Sequence, residues 1–279
     1  MQSRIKDIAL AFLNLLYPAK CPVCGGVTDN YSVSPICLEC WSKVVPYKGN
    51  SCSICGRLLD STQTNICMEC LREPPVFKRL LFYGLYEGAL REAIRLLKFS
   101  SIKRLARPLG ELLAGLELPE ADLIVPVPLE KSSLKERGFN QTLLIADALS
   151  KNCGVPVGTG LLFKIRKTPP QVGLPRQERL KNLRGAFKAK DLKGKRVILI
   201  DDVITTGTTC TECSKALYRA GAKEVYVVVL ATPPPGGSPP SLNGYEISCL
   251  KIETTTYYWE GLLAPPANRG ESPQPKWRL

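Results

Sequence analysis

The 279-residue chain is 44% hydrophobic and 23% charged, proportions of a globular protein with room for one ordinary domain and a smaller module. Its formal net charge of +13 favours polyanionic partners such as phosphorylated metabolites, nucleic acid or an acidic surface, and says nothing about fold. The chain has no histidine, which excludes chemistry built on an imidazole.

From the N-terminus, MQSRIKDIALAFLNLLYP sets Ile5, Ile8, Ala9, Phe12, Leu13 and Leu16 near one helical face. The run is too short, and too interrupted by Arg4, Lys6, Asp7 and Asn14, for a membrane-spanning helix. An amphipathic helix packed on the domain is expected, with membrane-surface binding as the alternative. A signal peptide would need a longer uniform apolar core and a small-residue cleavage site, and CPVC follows instead. A cytoplasmic, reducing compartment is therefore expected, where twelve cysteines do not imply disulfides.

Eight of those cysteines precede the punctuation Pro74-Pro75, which closes a first zone over residues 1–75. Cys21, Cys24, Cys37 and Cys40 form CPVC and CLEC; Cys52, Cys55, Cys67 and Cys70 form CSIC and CMEC. Each CxxC makes a tight knuckle presenting two thiolates, and the glycines after Cys24 and Cys55 suit that turn. The two halves resemble each other, as in an internal duplication, and read as a double zinc ribbon. About two structural Zn²⁺ ions per chain are expected, with neighbouring pairs sharing a metal as the simpler arrangement. A redox-active CxxC needs a thioredoxin-like surround that is missing here.

Residues 76–231 alternate strand-like and helix-like patterns. Leu81 to Tyr86 reads as a strand or hairpin arm. GALREAIRLLKF (Gly88 to Phe99) has helical spacing at Leu90, Ile94 and Leu97, with Arg91, Arg95 and Lys98 opposite. Leu123 to Val127 and Val197 to Ile200 are short apolar runs suited to buried parallel strands. Helices are expected over Asn140 to Lys151 and Thr208 to Ala220, the second stopped by Gly221, and a further strand over Val225 to Leu230. Such alternation predicts an α/β fold, a parallel sheet with helices on both faces and ligands at the carboxyl ends of the strands. From Thr232, TPPPGGSPPS opens a Pro/Gly/Ser-rich extension over 232–279, expected to be largely unpacked.

The segment VILIDDVITTGTT (Val197 to Thr209) concentrates the chemistry. A buried strand is expected to end at Asp201 and Asp202, adjacent carboxylates suited to accepting from vicinal hydroxyls. Thr205, Thr206, Gly207, Thr208 and Thr209 then supply backbone N–H groups and hydroxyls at a helix N-terminus, a ready anion site. Ordinary capping would account for one acid or one threonine and leaves the combination unexplained. Cys210 and Cys213 also form CxxC, but without a second pair they read as buried helix-face thiols; Cys153 and Cys249 carry no signal.

This segment resembles the phosphoribosyl-pyrophosphate signature of type I phosphoribosyltransferases. The resemblance implies Asp201 and Asp202 on the ribose 2- and 3-hydroxyls and residues 205 to 209 around the 5-phosphate. Thr205 stands where purine-salvage enzymes usually carry an acid beside the base, which argues against that activity. After strand 123–127, PVPLEKSSLKERGFNQT places Lys131, Lys135 and Arg137 in a loop suited to a second anion, pyrophosphate with Mg²⁺. A solvated basic loop is the plainer alternative. RKTPPQVGLPRQERLKNLRGAF (Arg166 to Phe187) reads as a lid, with Gln171, Arg176, Arg179 and Asn182 able to close over a phosphate ligand.

Taken in order, LLYPAKCPVCG, LLKF, PVPL…RGFNQ, TPPQ…NLRGAF and DDVITTGTT are similar to the ComF competence-protein family from about residue 10 to 231. That resemblance implies a part in DNA uptake during natural transformation, with single-stranded DNA and proteins of the uptake machinery as partners. Two functions follow. One is a protein that binds phosphoribosyl pyrophosphate and handles single-stranded DNA; the other is an active phosphoribosyltransferase with an unidentified acceptor. Arg91, Arg95, Lys98, Lys103, Arg104 and Arg107 form one candidate basic patch for DNA. Lys164, Arg166, Lys167, Arg176, Arg179, Lys181 and Arg184 form another around the lid. Trp41, Phe77, Phe82 and Phe99 are equally placed to stack on bases or to belong to the core.

Overall fold

A computed structural model of the chain describes residues 19–28, 30–60, 64–166, 168 and 182–235. The N-terminal helix reading, Gln171, Arg176, Arg179 and nearly all of the extension lie outside these residues. Two short helices, α1 (Leu38–Ser42) and α2 (Met68–Arg72), belong to the cysteine module. There follow β1 (Arg79–Leu85), α3 (Gly88–Phe99), α4 (Ala106–Ala114), β2 (Leu123–Pro126), α5 (Lys131–Arg137) and α6 (Gln141–Cys153). The remaining elements are β3 (Leu162–Lys164), β4 (Phe187–Ala189), β5 (Arg196–Val203), α7 (Thr208–Arg219) and β6 (Glu224–Thr232).

The main sheet has the order β1-β6-β5-β2 with every pair parallel. Its strands read as unbroken apolar runs because both faces are covered. Ile198 and Ile200 of β5 and Val228 and Leu230 of β6 pack with Leu109 of α4 and Ile145 and Leu149 of α6. The intervening Val197, Leu199, Val227 and Val229 pack with Cys210, Cys213 and Leu217 of α7. The Cys210 and Cys213 thiols are thus buried on a helix face, as the lone CxxC suggested. Helix α7 turns off at Gly221, and the helix expected over Asn140 to Lys151 is α6.

Three differences from the sequence reading have local causes. Strand β5 runs on to Val203, since Asp201 and Val203 keep register with Val229 and Ala231 of β6. Residues 131–137, expected as loop, form the short helix α5, closed by the Gly138 N–H on the Leu134 carbonyl. The antiparallel pair β3–β4 went unseen because three-residue strands are too short to show a period.

The cysteine module is fastened to the outer edge of β1. The Leu80 N–H donates to the Ile54 carbonyl at 2.8 Å, and the Tyr47 N–H to the Tyr83 carbonyl at 2.7 Å. These bonds cover an edge strand that would otherwise present unpaired backbone. Arg104 adds a tie to the first half, its Nε 2.9 Å from the Ser34 carbonyl and its guanidinium over the Tyr31 ring.

Helices α4 and α6 approach most closely at Gly110. A Cβ built there would lie 2.5 Å from the Ala148 Cβ and 2.9 Å from the Leu149 nitrogen. Gly110→Val should therefore push the helices apart and cost about 1–3 kcal/mol or more. A urea midpoint unchanged from wild type would contradict this packing.

Candidate functional site

Strand β5 delivers the two acids to the carboxyl edge of the sheet, and its alternation turns them to opposite faces. Asp202 points toward α3 and α6. It is 4% exposed, and its carboxylate meets Lys98 Nζ at 3.0 Å and accepts from Gln141 Nε2 at 2.9 Å and from the Val203 N–H at 2.8 Å. Asp201 points toward α7, where the Cys210 sulfur lies 3.9 Å from its Oδ2, and its Oδ1 accepts the Asp202 N–H at 2.9 Å.

Lys98 corrects the sequence reading, which set it with Arg91 and Arg95 on a polar face. It sits at the end of α3 against the acid pair. Burial opposes its charge, but the Asp202 carboxylate outweighs burial and holds its pKa above the usual lysine value. Asp202 is in turn held low, because Lys98 and Gln141 together overcome its desolvation. Burial, and then the negative charge of Asp202, push Asp201 up to about 7. Neighbours in sequence thus carry different charge states near neutrality.

Beyond the acids, the chain turns at Gly207 (φ +70°), the N-cap of α7, and no side chain supplies a cap bond. A plain capped helix start is therefore not what the threonines provide. A niche of about 80 Å³ is lined by Leu183, Asp201 and residues 203–210, including Thr205, Thr206, Thr208 and Thr209. The Thr206 and Thr208 hydroxyls lie 2.9 Å apart. Backbone N–H groups at the start of a twelve-residue helix, next to a niche of that size, suit a phosphate.

Of the basic residues expected after β2, the structure brings Arg137 into the cluster. Its Nη1 lies 3.3 Å from the Gln141 Oε1, and its guanidinium stands 5.2 Å from the Phe99 ring centroid. Lys131 and Lys135 are exposed on α5. The ends of the expected lid are pinned: Arg166 Nη2 donates to the Asn182 and Arg184 carbonyls, and the Gly185 N–H to the Glu212 carboxylate at 3.0 Å. Sequence reasoning missed Lys98, Gln141 and Glu212 as parts of this region.

Several residues of the two basic patches have acidic neighbours. Arg91 and Arg95 contact Glu92 (3.3 and 3.1 Å), Arg107 contacts Glu111 (2.9 Å), and Lys164 contacts Glu130 (3.1 Å). Among the stacking candidates, Phe77 and Phe82 are buried, Trp41 packs against the core, and Phe99 is 54% exposed.

The cysteines gather as neighbouring pairs, Cys21, Cys24, Cys37 and Cys40 in one group and Cys52, Cys55, Cys67 and Cys70 in the other. Within each group all sulfurs lie within 4.8 Å of one another. The Cys24–Cys37 and Cys55–Cys67 separations are 3.6 and 3.7 Å. Zn–S bonds of about 2.3 Å at tetrahedral angles require roughly 3.8 Å between sulfurs, so the residues fit zinc. Knuckle N–H groups support the sulfurs, among them Cys40 on Cys37 (3.5 Å) and Cys67 on Cys52 (3.3 Å). Burial and the neighbouring thiols push Cys40 up to about 12. The second group also forms one wall of a cleft of about 630 Å³, with Cys55 to Leu58 facing Ile204 to Thr208.

A parallel α/β sheet carrying this acid and threonine-glycine loop, tied to two four-cysteine knuckle sites, defines a double-zinc-ribbon protein with a phosphoribosyltransferase-type domain. Residues 12–71 match the double zinc ribbon domain family, and residues 142–262 match the phosphoribosyl transferase domain family, a span that reaches past Thr232. The chain is 31% identical to Competence protein F of Haemophilus influenzae over 77% of its own length and 93% of that protein. It is 34% identical to the DNA utilization protein YhgH of Escherichia coli K12, over 69% of this chain and 88% of that one. Among solved structures, the glutamine phosphoribosylpyrophosphate amidotransferase of B. subtilis aligns at 28% identity and a TM-score of 0.33, covering 44% of this chain and 25% of that chain. The chain belongs to the ComF competence-protein family. No helix among the described residues is long and apolar enough to cross a membrane.

Two outcomes follow from this geometry. The reduced protein should carry about two zinc ions per chain by elemental analysis, and Cys70→Ser should remove one; less than one in the wild type would contradict the paired sites. Asp201 keeps its proton in the fold up to about pH 7, whereas the unfolded chain releases it near 3.8. Unfolding between those values releases a proton, so this group's contribution to stability falls as pH rises. Asp201→Asn should stabilise the ligand-free protein by about 1–3 kcal/mol at pH 8, a gain that shrinks as pH falls toward 4. An Asn variant no more stable than wild type at pH 8 would refute the desolvated, repelled state of the half-buried Asp201.

Proposed function

We propose that this chain binds phosphoribosyl pyrophosphate, or another 5-phosphoribosyl ligand, and handles single-stranded DNA during DNA uptake in natural transformation. The observation that carries the ligand half is the continuous run of β5, Asp201 and Asp202, the Gly207 turn and the N-terminus of α7. The 5-phosphate occupies the niche at Thr205, Thr206, Gly207, Thr208 and Thr209, where the helix dipole and N–H groups favour a dianion. Asp201 and Asp202 receive the ribose hydroxyls. Arg137, with Lys135 on the same short helix, meets the pyrophosphate, and Arg179 is a further candidate for that anion. Mg²⁺ is held mainly by the ligand's own diphosphate oxygens and water, and neutralises part of their charge.

The DNA half is supported by the names of the relatives, a competence protein and a DNA utilization protein, and by the +13 charge. A reducing compartment such as the cytoplasm suits the eight ribbon thiols. A second reading is an active phosphoribosyltransferase, favoured by the observation that four cations of the two patches, Arg91, Arg95, Arg107 and Lys164, already have acidic partners. Transfer through a cation-like ribosyl centre needs positioning and stabilisation of the departing pyrophosphate, and no imidazole.

Titrations with phosphoribosyl pyrophosphate plus Mg²⁺ and with a single-stranded oligonucleotide, each with and without the other, test both halves. At pH 8, where Asp201 is ionised, Asp201→Asn should weaken the small ligand about tenfold to a hundredfold, as loss of a charged acceptor worth roughly 1.5–3 kcal/mol. Wild-type affinity in that folded variant would remove the site assignment. DNA affinity should fall with salt by about 0.7 log units per log unit for each phosphate contacted. Arg91→Ala with Arg95→Ala should flatten that slope and leave the small ligand alone. Negligible DNA binding at low salt by the zinc-loaded protein would leave the transferase reading, which release of pyrophosphate on adding an acceptor would establish.

A further inference from the structure

The Asp202 carboxylate is full. Its Oδ1 accepts from the Val203 N–H at 2.8 Å and from Lys98 Nζ at 3.3 Å; its Oδ2 accepts from Gln141 Nε2 at 2.9 Å and lies 3.0 Å from Lys98 Nζ. A carboxylate offers about four lone-pair positions, so no position is left for a ribose hydroxyl. Asp201 is different, because its Oδ2 faces the weak thiol donor Cys210 at 3.9 Å. As the protein stands, a vicinal diol finds one acid open and the other occupied.

The three groups on Asp202 are not equally able to leave. The Val203 N–H belongs to β5. Gln141 is 3% exposed and is held from its other end by Arg137. Lys98 carries its ammonium on a flexible four-carbon stem, and its side chain is 25% exposed beside Phe99 and Arg137. An anion arriving near Arg137 would attract the Lys98 charge as well.

We propose that Lys98 is the exchange residue of this site: its ammonium occupies Asp202 in the ligand-free protein and moves to the ligand's diphosphate on binding, which opens Asp202 to the second ribose hydroxyl. The inference rests on the phosphoribosyl reading above. It makes recognition of the diol and of the diphosphate one coupled event. Ribose 5-phosphate, with no anion beside C1, cannot draw Lys98 away and engages Asp201 alone. Phosphoribosyl pyrophosphate engages both acids. Lys98 is thus a ligand-binding residue that sets the preference for a diphosphate-bearing ligand.

Calorimetric titration of the zinc-loaded full chain with ribose 5-phosphate and with phosphoribosyl pyrophosphate, both with Mg²⁺, reads the exchange. Wild type should prefer phosphoribosyl pyrophosphate. Lys98→Met should keep or improve its affinity for ribose 5-phosphate while losing phosphoribosyl pyrophosphate affinity, so that the ratio of the two falls at least tenfold. Lys98→Arg should restore most of the preference. Because Lys98→Met leaves a buried carboxylate without its cation, Lys98→Met/Asp202→Asn provides a charge-balanced control, in which the ratio should collapse as well. A ratio unchanged in the folded Lys98 variants overturns the exchange, whether both affinities fall alike or neither moves. Wild type binding neither ligand would overturn the phosphoribosyl reading itself, and the exchange with it.

Discussion

Strand β5 is covered on both faces, and its period of two decides what each residue on it can do. Val197 and Leu199 meet α7, while Ile198 and Ile200 meet α4 and α6. The same alternation continues into Asp201 and Asp202, so the acids inherit different surroundings. One receives a lysine and a buried glutamine. The other receives a thiol, its neighbour's negative charge and the opening of the phosphate-sized niche. Two carboxylates side by side would repel if both were ionised and equally buried; division between the faces gives one a cation and leaves the other near its titration point. A carboxyl group held this way costs stability in the ligand-free protein once it ionises.

The zinc module is bound to this sheet through β1 and is not a separate bead. Cys21, Ile36, Cys37 and Cys40 of its first half join the main core, while the second half has its own small cluster of cysteines with Ile54, Leu59 and Ile66 around them. So small a core does not hold a fold without metal. Backbone bonds from Ile54 to Leu80 and from Tyr47 to Tyr83 then carry the metal-set geometry onto the strand edge. On the far side of the second knuckle lies the phosphate loop, across a cleft that both line.

Much of this was legible in the residues. The apolar run before Asp201, the turn at Gly207 and the stop at Gly221 marked β5 and α7, and the CxxC spacing marked the sulfur groups. What stayed hidden depends on contacts distant in sequence. Lys98 lies 104 positions from Asp202, and helical periodicity places it on a polar face whatever its partner is. Gln141 is 61 positions away and reads as an ordinary first residue of a helix. Nor does a net charge reveal that Arg91, Arg95 and Arg107 each have an acidic neighbour on the same helix. Short elements such as β3, β4 and α5 carry too few residues for any period to be seen.

The central claim is that the sheet's carboxyl edge at β5 is a phosphoribosyl site with unequal acids. A crystal structure of the zinc-loaded protein with phosphoribosyl pyrophosphate and Mg²⁺ tests it most directly. The account predicts the 5-phosphate within hydrogen-bond reach of the N–H groups of residues 205 to 209, with one ribose hydroxyl on Asp201, the other on Asp202, and Lys98 turned from Asp202 to the diphosphate. A ligand bound through exposed lysines elsewhere, with Lys98 still on Asp202 and the loop at Gly207 empty, would contradict it.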